Sequence, residues 1–354
     1  MRTGFGNSGH RRGRQVVVIT GASAGVGRAT ARAFGREGAC IGLIARDEDR
    51  LNAAKAEIEH VGGRALVLPA EVSDSGLIEK AAELIEAEFG PIDIWVNNAM
   101  ATVFAPFERI RAEEFKRATE VTYLGCVYGT IAALKRMKRR DRGVIVQVGS
   151  ALARRSIPLQ SPYCGAKHAI LGFTDSIRSE LIHDGSNVWI TVVNLPALNT
   201  PQFEWSRSRM PRQPQPVPPI FQPEVAADAI LWAARQRRRE LDVGFSTIKA
   251  VVAQKIVPGF ADRYLAATGY DSQQTSEPAD PNRPDNLFTP VHGQFAAHGR
   301  FDSKARVMSL QFSIKKHRTL AIAAPVVIGL GLAVWKVAEK LLSRRNRLHG
   351  PKAA

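Results

Sequence analysis

From Gln15 to about Asn199 the chain alternates short apolar runs with longer stretches in which apolar positions recur at helical spacing. The runs are Val16–Thr20, Cys40–Ala45, Ala65–Pro69, Ile92–Asn97, Val144–Val148 and Val188–Asn194. Each is continuously apolar, as befits a strand covered on both faces. Between them the spacing predicts helices over Asp47–Glu59, Asp74–Phe89, Ala112–Lys138 and Pro162–Ile182. Strand and helix in alternation predict an α/β fold with a doubly wound parallel sheet and right-handed crossovers, a single domain over residues 14–245.

Beyond Pro196 the pattern changes. Residues 201–223 are rich in Pro, Arg and Gln and have no period, so 198–223 reads as a lid over one edge of the domain. Its Phe203, Trp205, Met210 and Ile220 suggest an apolar substrate pocket. Pro223–Arg235 is expected to be a helix, Leu241–Phe245 a further strand, and 246–270 a weakly helical extension. Residues 271–318 carry many Pro, Asp, Gln and Asn and few aliphatics, which predicts a disordered linker. Leu320–Val334 then runs for fifteen residues without a charge, and basic residues flank it on both sides. The length is short for a span and Pro325 interrupts it, so a buried helix is the competing reading. Its place beyond a polar linker favours a membrane helix or embedded anchor over 319–340, with basic tails at 1–13 and 341–354.

Composition narrows the class. With 45% hydrophobic and 23% charged residues, neither a wholly disordered chain nor a polytopic membrane protein fits. The net charge of +16 favours polyanions: phosphorylated cofactors, nucleic acid or anionic lipid. Residues 303–354 hold 11 Lys and Arg against Glu339 alone, so much of the excess lies there. The basic runs Lys135–Arg142 and Arg235–Arg239 lack interleaved aromatics and sit at predicted helix ends, so they read as solvated faces and no nucleic-acid partner is expected. Cys40, Cys126 and Cys164 lie far apart, and the eight histidines form no cluster, so neither disulfides nor a metal site is indicated. The Arg11–Arg12 pair precedes too short an apolar run for an export signal. A catalytic domain in the reducing cytoplasm, anchored by its C-terminal segment, is the expectation.

The first strand runs directly into Thr20-Gly21-Ala22-Ser23-Ala24-Gly25-Val26-Gly27, which opens a helix. Glycines there permit a tight turn and close approach of a diphosphate to helix N-terminal amides. The Gly-Lys-Ser/Thr of a nucleotide triphosphatase loop is absent. Gly21-Ala22-Ser23-Ala24-Gly25 also fits a hydrolase nucleophile elbow, but that turn follows several strands, not the first. The second strand ends at Ala45 and Arg46. An arginine there suits a ribose 2′-phosphate, favouring NADP over NAD, with Asp47 as the residue that argues the other way.

Tyr163 and Lys167 are one helical turn apart. An ammonium beside a phenol lowers the tyrosine pKa and makes an acid/base for an alcohol or carbonyl oxygen. Ser150 closes the fifth strand of the alternation, where a hydroxyl could hold the same oxygen. Together with Asn97-Asn98-Ala99 and Pro196-Ala197-Leu198-Asn199-Thr200, these motifs resemble the short-chain dehydrogenase/reductase family over about residues 14–245. The resemblance implies a Rossmann-like fold with Ser150, Tyr163 and Lys167 as catalytic residues. It implies a cofactor site at Gly21, Ser23, Ala24, Gly25, Val26, Gly27, Arg46, Glu71, Val72, Asn98, Ala99, Tyr163, Lys167, Pro196 and Thr200. Lys167 would also hold the nicotinamide ribose, and Glu71-Val72 stands where the family usually has Asp-Val beside adenine. A dimer or tetramer is a further implication.

Three departures stand out. Met100 and Ala197 replace usual glycines, and Thr122 replaces an Asn that helps hold a water behind the lysine. The expectation is an NADP-dependent oxidoreductase that passes hydride to or from a small-molecule alcohol or carbonyl, with a lipophilic one favoured by the apolar lid and anchor. The departures motivate the alternative of a membrane-tethered cofactor sensor or scaffold with feeble catalysis.

Overall fold

The computed structural model describes residues 14–317. Both basic tails and the segment expected to be a membrane helix at 319–340 lie outside them. Among the described residues no helix is long and apolar enough to cross a membrane. The chain divides into two units, Met1–Ser309 and Leu310–Ala354, the second described only as far as residue 317.

The first half of the sheet is built from β1 (Val16–Thr20), α1 (Gly25–Gly35), β2 (Cys40–Ala45), α2 (Glu48–His60), β3 (Arg64–Pro69), α3 (Ser75–Phe89) and β4 (Ile94–Asn97). A two-residue strand β5 (Val103–Phe104), α4 (Ala112–Thr119), α5 (Gly125–Met137), β6 (Val144–Ser150), α6 (Ser161–His183) and β7 (Trp189–Leu195) follow. The lid holds α7 (Gln202–Trp205), β8 (Arg207–Ser208), β9 (Arg212–Pro214) and β10 (Ile220–Phe221). Then come α8 (Pro223–Gln236), β11 (Glu240–Asp242), α9 (Phe245–Ile256), α10 (Pro258–Ser272), β12 (Gln274–Pro278), β13 (Ala305–Arg306) and α11 (Leu310–Lys316).

Seven strands form one parallel sheet in the order β11-β7-β6-β4-β1-β2-β3. Helices cover both faces, so β1, β2, β4 and all but the first residue of β6 and β7 are buried. After β3 the chain returns to the other side of β1 and lays down β4. Connections diverge at that point, and a crevice opens at the carboxyl ends of β1 and β4.

One predicted helix, Ala112–Lys138, is broken. A π-helical turn over Glu120–Leu124 separates α4 from α5 and carries Thr122. The Thr122 hydroxyl accepts from the Ala101 amide and donates to the Ala101 carbonyl, both at 2.9 Å. That pair of bonds fixes the widened turn against the loop after β4.

The expected disordered linker is the larger correction. Residues 271–309 are laid across the domain as a strap. Strand β12 pairs antiparallel with β9, and β13 pairs parallel with β10. Leu287, Ala297 and Phe301 are buried, Leu287 within the main core. The segment has no core of its own, so its composition reads as disorder. The domain supplies both the apolar sockets and the arginine donors that order it.

Candidate active site

The crevice holds two adjoining hollows that share Val26, Asn98, Met100, Thr200 and Gln202. One lies over the glycine loop. At Gly21 and Gly25 the backbone takes φ values of 66° and 55°, which favour glycine. A Cβ on Gly27 would stand 2.1 Å from the Gly21 carbonyl oxygen, so only glycine lets α1 start this close to the loop. Asn98 fastens the turn: its Nδ2 donates to the carbonyls of Thr20 at 2.9 Å and Gly21 at 3.2 Å. Thr20 Oγ1 in turn accepts from the Asn98 and Ala99 amides at 2.9 and 3.1 Å. Helix α1 begins without a side-chain cap, because Ala24 has no acceptor to offer, and no acid stands in its first turn. A helix N-terminus without a side-chain cap, in a tight glycine turn, suits a diphosphate.

The far end of this hollow is lined by Ala45, Arg46, Asp47, Arg50, Glu71 and Val72. Asp47 is spent locally. Its carboxylate caps α2 by accepting the Arg50 amide at 2.8 Å and pairs with the Arg50 guanidinium at 3.1 Å. Glu71 pairs with Arg117 and lies 3.8 Å from Arg46. Three guanidinium groups thus meet two carboxylates, leaving the corner positive.

Sequence reasoning missed the strap's part in this hollow. Asn286 and Pro290 line it. Arg46 donates to the carbonyls of Asn286 and Phe288, Arg50 to that of Val291 at 2.7 Å, and Arg28 to that of Phe295 at 3.0 Å. The Gly25 amide donates to Ala296 at 3.1 Å. The Phe295 ring meets Trp205 edge-on at 4.7 Å, and the Arg50 guanidinium lies 4.9 Å from the Trp205 ring centre. No residue pattern announces this, because backbone carbonyls do most of the binding.

The second hollow is lined by Ser150, Tyr163, Lys167 and Pro196 among apolar Leu152, Ile157, Leu198, Phe203, Pro216 and Val217. Its cavity volume is about 240 Å³. Of the four lid residues expected to line it, only Phe203 does. Trp205 turns toward the glycine-loop hollow, while Met210 and Ile220 pack with Phe104, Leu159 and Phe301 in a small core of their own. The lid is held down by paired arginines. Burial alone would raise the fully enclosed Glu114, but hydrogen bonds from Arg209 and Arg207 bring it to about 2.

Ser150 stands at the end of β6, and its Oγ accepts from the Leu152 amide at 3.1 Å. Tyr163 and Lys167 sit on the first turns of α6. Lys167 Nζ is 5.5 Å from the centre of the Tyr163 ring and donates to the Val148 carbonyl at 2.6 Å. Burial lowers its pKa to about 8, with the Cys126 thiol acting against the fall. Burial also pushes the Tyr163 phenol up to about 12, although hydrogen bonding from Ser150 pulls the other way. The phenol is therefore shifted opposite to the expected lowering by lysine, because burial dominates. Gly27, expected to bind cofactor, does not line the hollow; it spaces the loop from the helix.

The fold, glycine turn and crevice define a dinucleotide-binding oxidoreductase. A family profile for short chain dehydrogenases matches residues 15–210, and the chain belongs to that family of NAD(P)-dependent oxidoreductases. It is 32% identical over 328 residues to the uncharacterized oxidoreductase YxnA of Bacillus subtilis, covering 92% of this chain and 91% of that one. It is 31% identical to a 3-dehydrosphinganine reductase of Danio rerio, over 62% of this chain and 68% of that one. A fatty acyl-CoA reductase of Acinetobacter baylyi is 29% identical, over 64% and 75% respectively.

Proposed function

We propose that the protein is an NADP-dependent carbonyl reductase or alcohol dehydrogenase for lipophilic substrates. The observation that carries this is the position of Tyr163, with Ser150 and Lys167, on the wall of an apolar hollow that opens into the hollow over the glycine loop. When bound, the coenzyme supplies or accepts the hydride.

The residues present fit NADP. Gly21, Ser23, Ala24, Gly25 and Val26 line the hollow at the start of α1, where the diphosphate would lie and where the Gly25 amide now meets the Ala296 carbonyl. Arg46 offers a guanidinium for the 2′-phosphate, and Asp47 does not compete for a 2′-hydroxyl because it caps α2. Val72, Asn98, Ala99 and Thr200 complete that hollow. Lys167 and Pro196 line the second hollow, where the nicotinamide end would lie. Tyr163 gives its proton to the carbonyl oxygen in reduction and takes it back in oxidation. Ser150 holds the same oxygen. Enclosure keeps the phenol protonated but makes it a weaker acid, at about 12, and an ammonium at Lys167 would make the phenolate that results less costly. The hydroxyl of Thr122 is engaged with Ala101, so it steadies the loop after β4 and does not serve the proton path.

The apolar lining of Leu152, Ile157, Leu198, Phe203 and Val217 favours a hydrocarbon-bearing substrate. Relatives named for 3-dehydrosphinganine and fatty acyl-CoA agree with a lipophilic carbonyl. The test is a panel of long-chain and short polar ketones, followed by nicotinamide absorbance with NADPH and with NADH. Long-chain ketones with NADPH are expected to turn over best, and Tyr163→Phe is expected to lose turnover while still binding NADPH. Activity that survives Tyr163→Phe refutes the assignment.

A further inference from the structure

Helices α9 and α10 carry an unusual share of large apolar side chains in solvent. In α9 the one buried residue is Thr247, and in α10 the buried residues are Ala261 and Gly269. Ile248, Val251 and Leu265 are half-buried, but six other large apolar side chains are in solvent: Phe245 is 54% exposed, Val252 46%, Ile256 72%, Val257 45%, Phe260 68% and Tyr264 58%. Positions 245, 252 and 256 fall on one face of α9, and 260 and 264 on one face of α10, with Val257 at the junction between the helices. The two stripes meet at the junction over residues 256–258. A soluble surface helix normally shows the opposite arrangement, and a contiguous exposed apolar stripe marks an interaction site.

Small and polar groups hold this hairpin to the domain. Gly269 lies against Pro158, Gln273 Nε2 donates to the Pro158 carbonyl at 2.9 Å, and Arg155 bonds Gln254 at 2.7 Å and Asp262 at 2.6 Å. The hairpin therefore borders the wall of the substrate hollow, to which it contributes Ser246 and against which it sets Ile157 and Gln160.

Charge identifies the occupant. The hairpin's two acids are neutralised from outside, Asp262 by Arg155 and Asp271 by Arg212. Its exposed Lys249, Lys255 and Arg263 make no ion pair among the described residues. Lys249 lies on the same stripe as Phe245 and Val252, with its charge at the rim. A second copy of this face would set like charges together. We propose that the α9–α10 hairpin docks on an anionic lipid bilayer, its apolar stripe entering the headgroup boundary beside the substrate hollow. The inference rests on this surface and does not require the substrate class above.

The full chain carrying Phe260→Cys provides a local test, because Cys40, Cys126 and Cys164 are buried and leave the new thiol as the labelling site. An environment-sensitive label there is expected to shift to the blue on phosphatidylglycerol-containing vesicles and to be quenched by brominated acyl chains. Pure phosphatidylcholine vesicles should produce a much smaller change. Lys249→Glu with Lys255→Glu and Arg263→Glu should weaken the response about a hundredfold, at roughly 1 kcal/mol per basic residue. Turnover of a water-soluble carbonyl should be unchanged in that triple variant; loss of turnover in every form would count against the proposed function and leave docking intact. A chain that sediments with the vesicles while the label stays unshifted overturns the proposal. So does a shift that needs no vesicles and grows with protein concentration, which would make the occupant a second copy.

Discussion

Replacing Arg46 with Ala separates the two tasks assigned to its guanidinium. In the protein alone it clasps the strap through the carbonyls of Asn286 and Phe288. With NADP bound it would meet the 2′-phosphate. A hydrogen bond to a charged group contributes about 1.5–3 kcal/mol. Glu71 at 3.8 Å already offsets part of the charge, so the lower half of that range applies, or about a tenfold to thirtyfold loss. Arg46→Ala is therefore expected to lower kcat/KM for NADPH by that factor and for NADH by no more than about twofold. The strap contribution falls on both coenzymes alike and cancels in the ratio. Arg50→Ala is the control, because Arg50 binds Val291, Asp47 and the Trp205 ring and has no assigned phosphate. It should affect both coenzymes equally. Initial rates with each coenzyme decide the matter: an unchanged NADPH/NADH ratio in Arg46→Ala would refute the 2′-phosphate assignment.

Further outcomes follow from the same geometry. Lys167 has a folded pKa of about 8 against an ordinary 10.5, so its burial as a cation costs about 3 kcal/mol below pH 8, and the cost is relieved as pH rises from 8 towards 10.5. Without coenzyme, Lys167→Met should thus match or exceed wild type in Tm near pH 7 and lose that advantage by pH 10, although it is expected to lose activity; thermal melts in which the gap widens with pH would contradict this. Ala297, 1% exposed against Ala29 and Ala227, pins the strap, and Ala297→Glu forces a charge into that contact. KM should rise for both coenzymes by one factor, with faster proteolytic nicking within 286–298; unaltered nicking would show that the strap does not depend on this socket. Thr122→Val leaves the Ala101 amide unpaired and should cost about 1–3 kcal/mol of stability. The kcat of the folded variant should change little, and a large loss would restore Thr122 to the proton path.

The strands of the doubly wound sheet could be read closely because each is a short apolar run bounded by turn residues. β1 and β2 begin and end where the pattern places them. The glycine loop and the Tyr163–Lys167 pair were legible for a similar reason: local spacing alone puts a turn after a strand and two side chains on one helical face. The π turn at Thr122 was not, because it depends on Ala101 from another loop. Trp205, Met210 and Ile220 were misplaced because apolar character says that a side chain will be covered, not by what.

Local order along the chain, then, determined the alternation of strands and helices, the glycine turn and the Tyr163–Lys167 pair, since these rest on residues within a turn or two of each other. Tertiary structure decided the rest. It spent Asp47 on a helix cap, raised the Tyr163 phenol by enclosing it, and left the α9–α10 stripe uncovered. It also turned a polar, Pro-rich stretch into a strap over the glycine-loop hollow. The physical reason is that the groups ordering the strap, Arg28, Arg46, Arg50 and the Gly25 amide, lie more than two hundred residues away in sequence, and they bind its backbone carbonyls, which every sequence has.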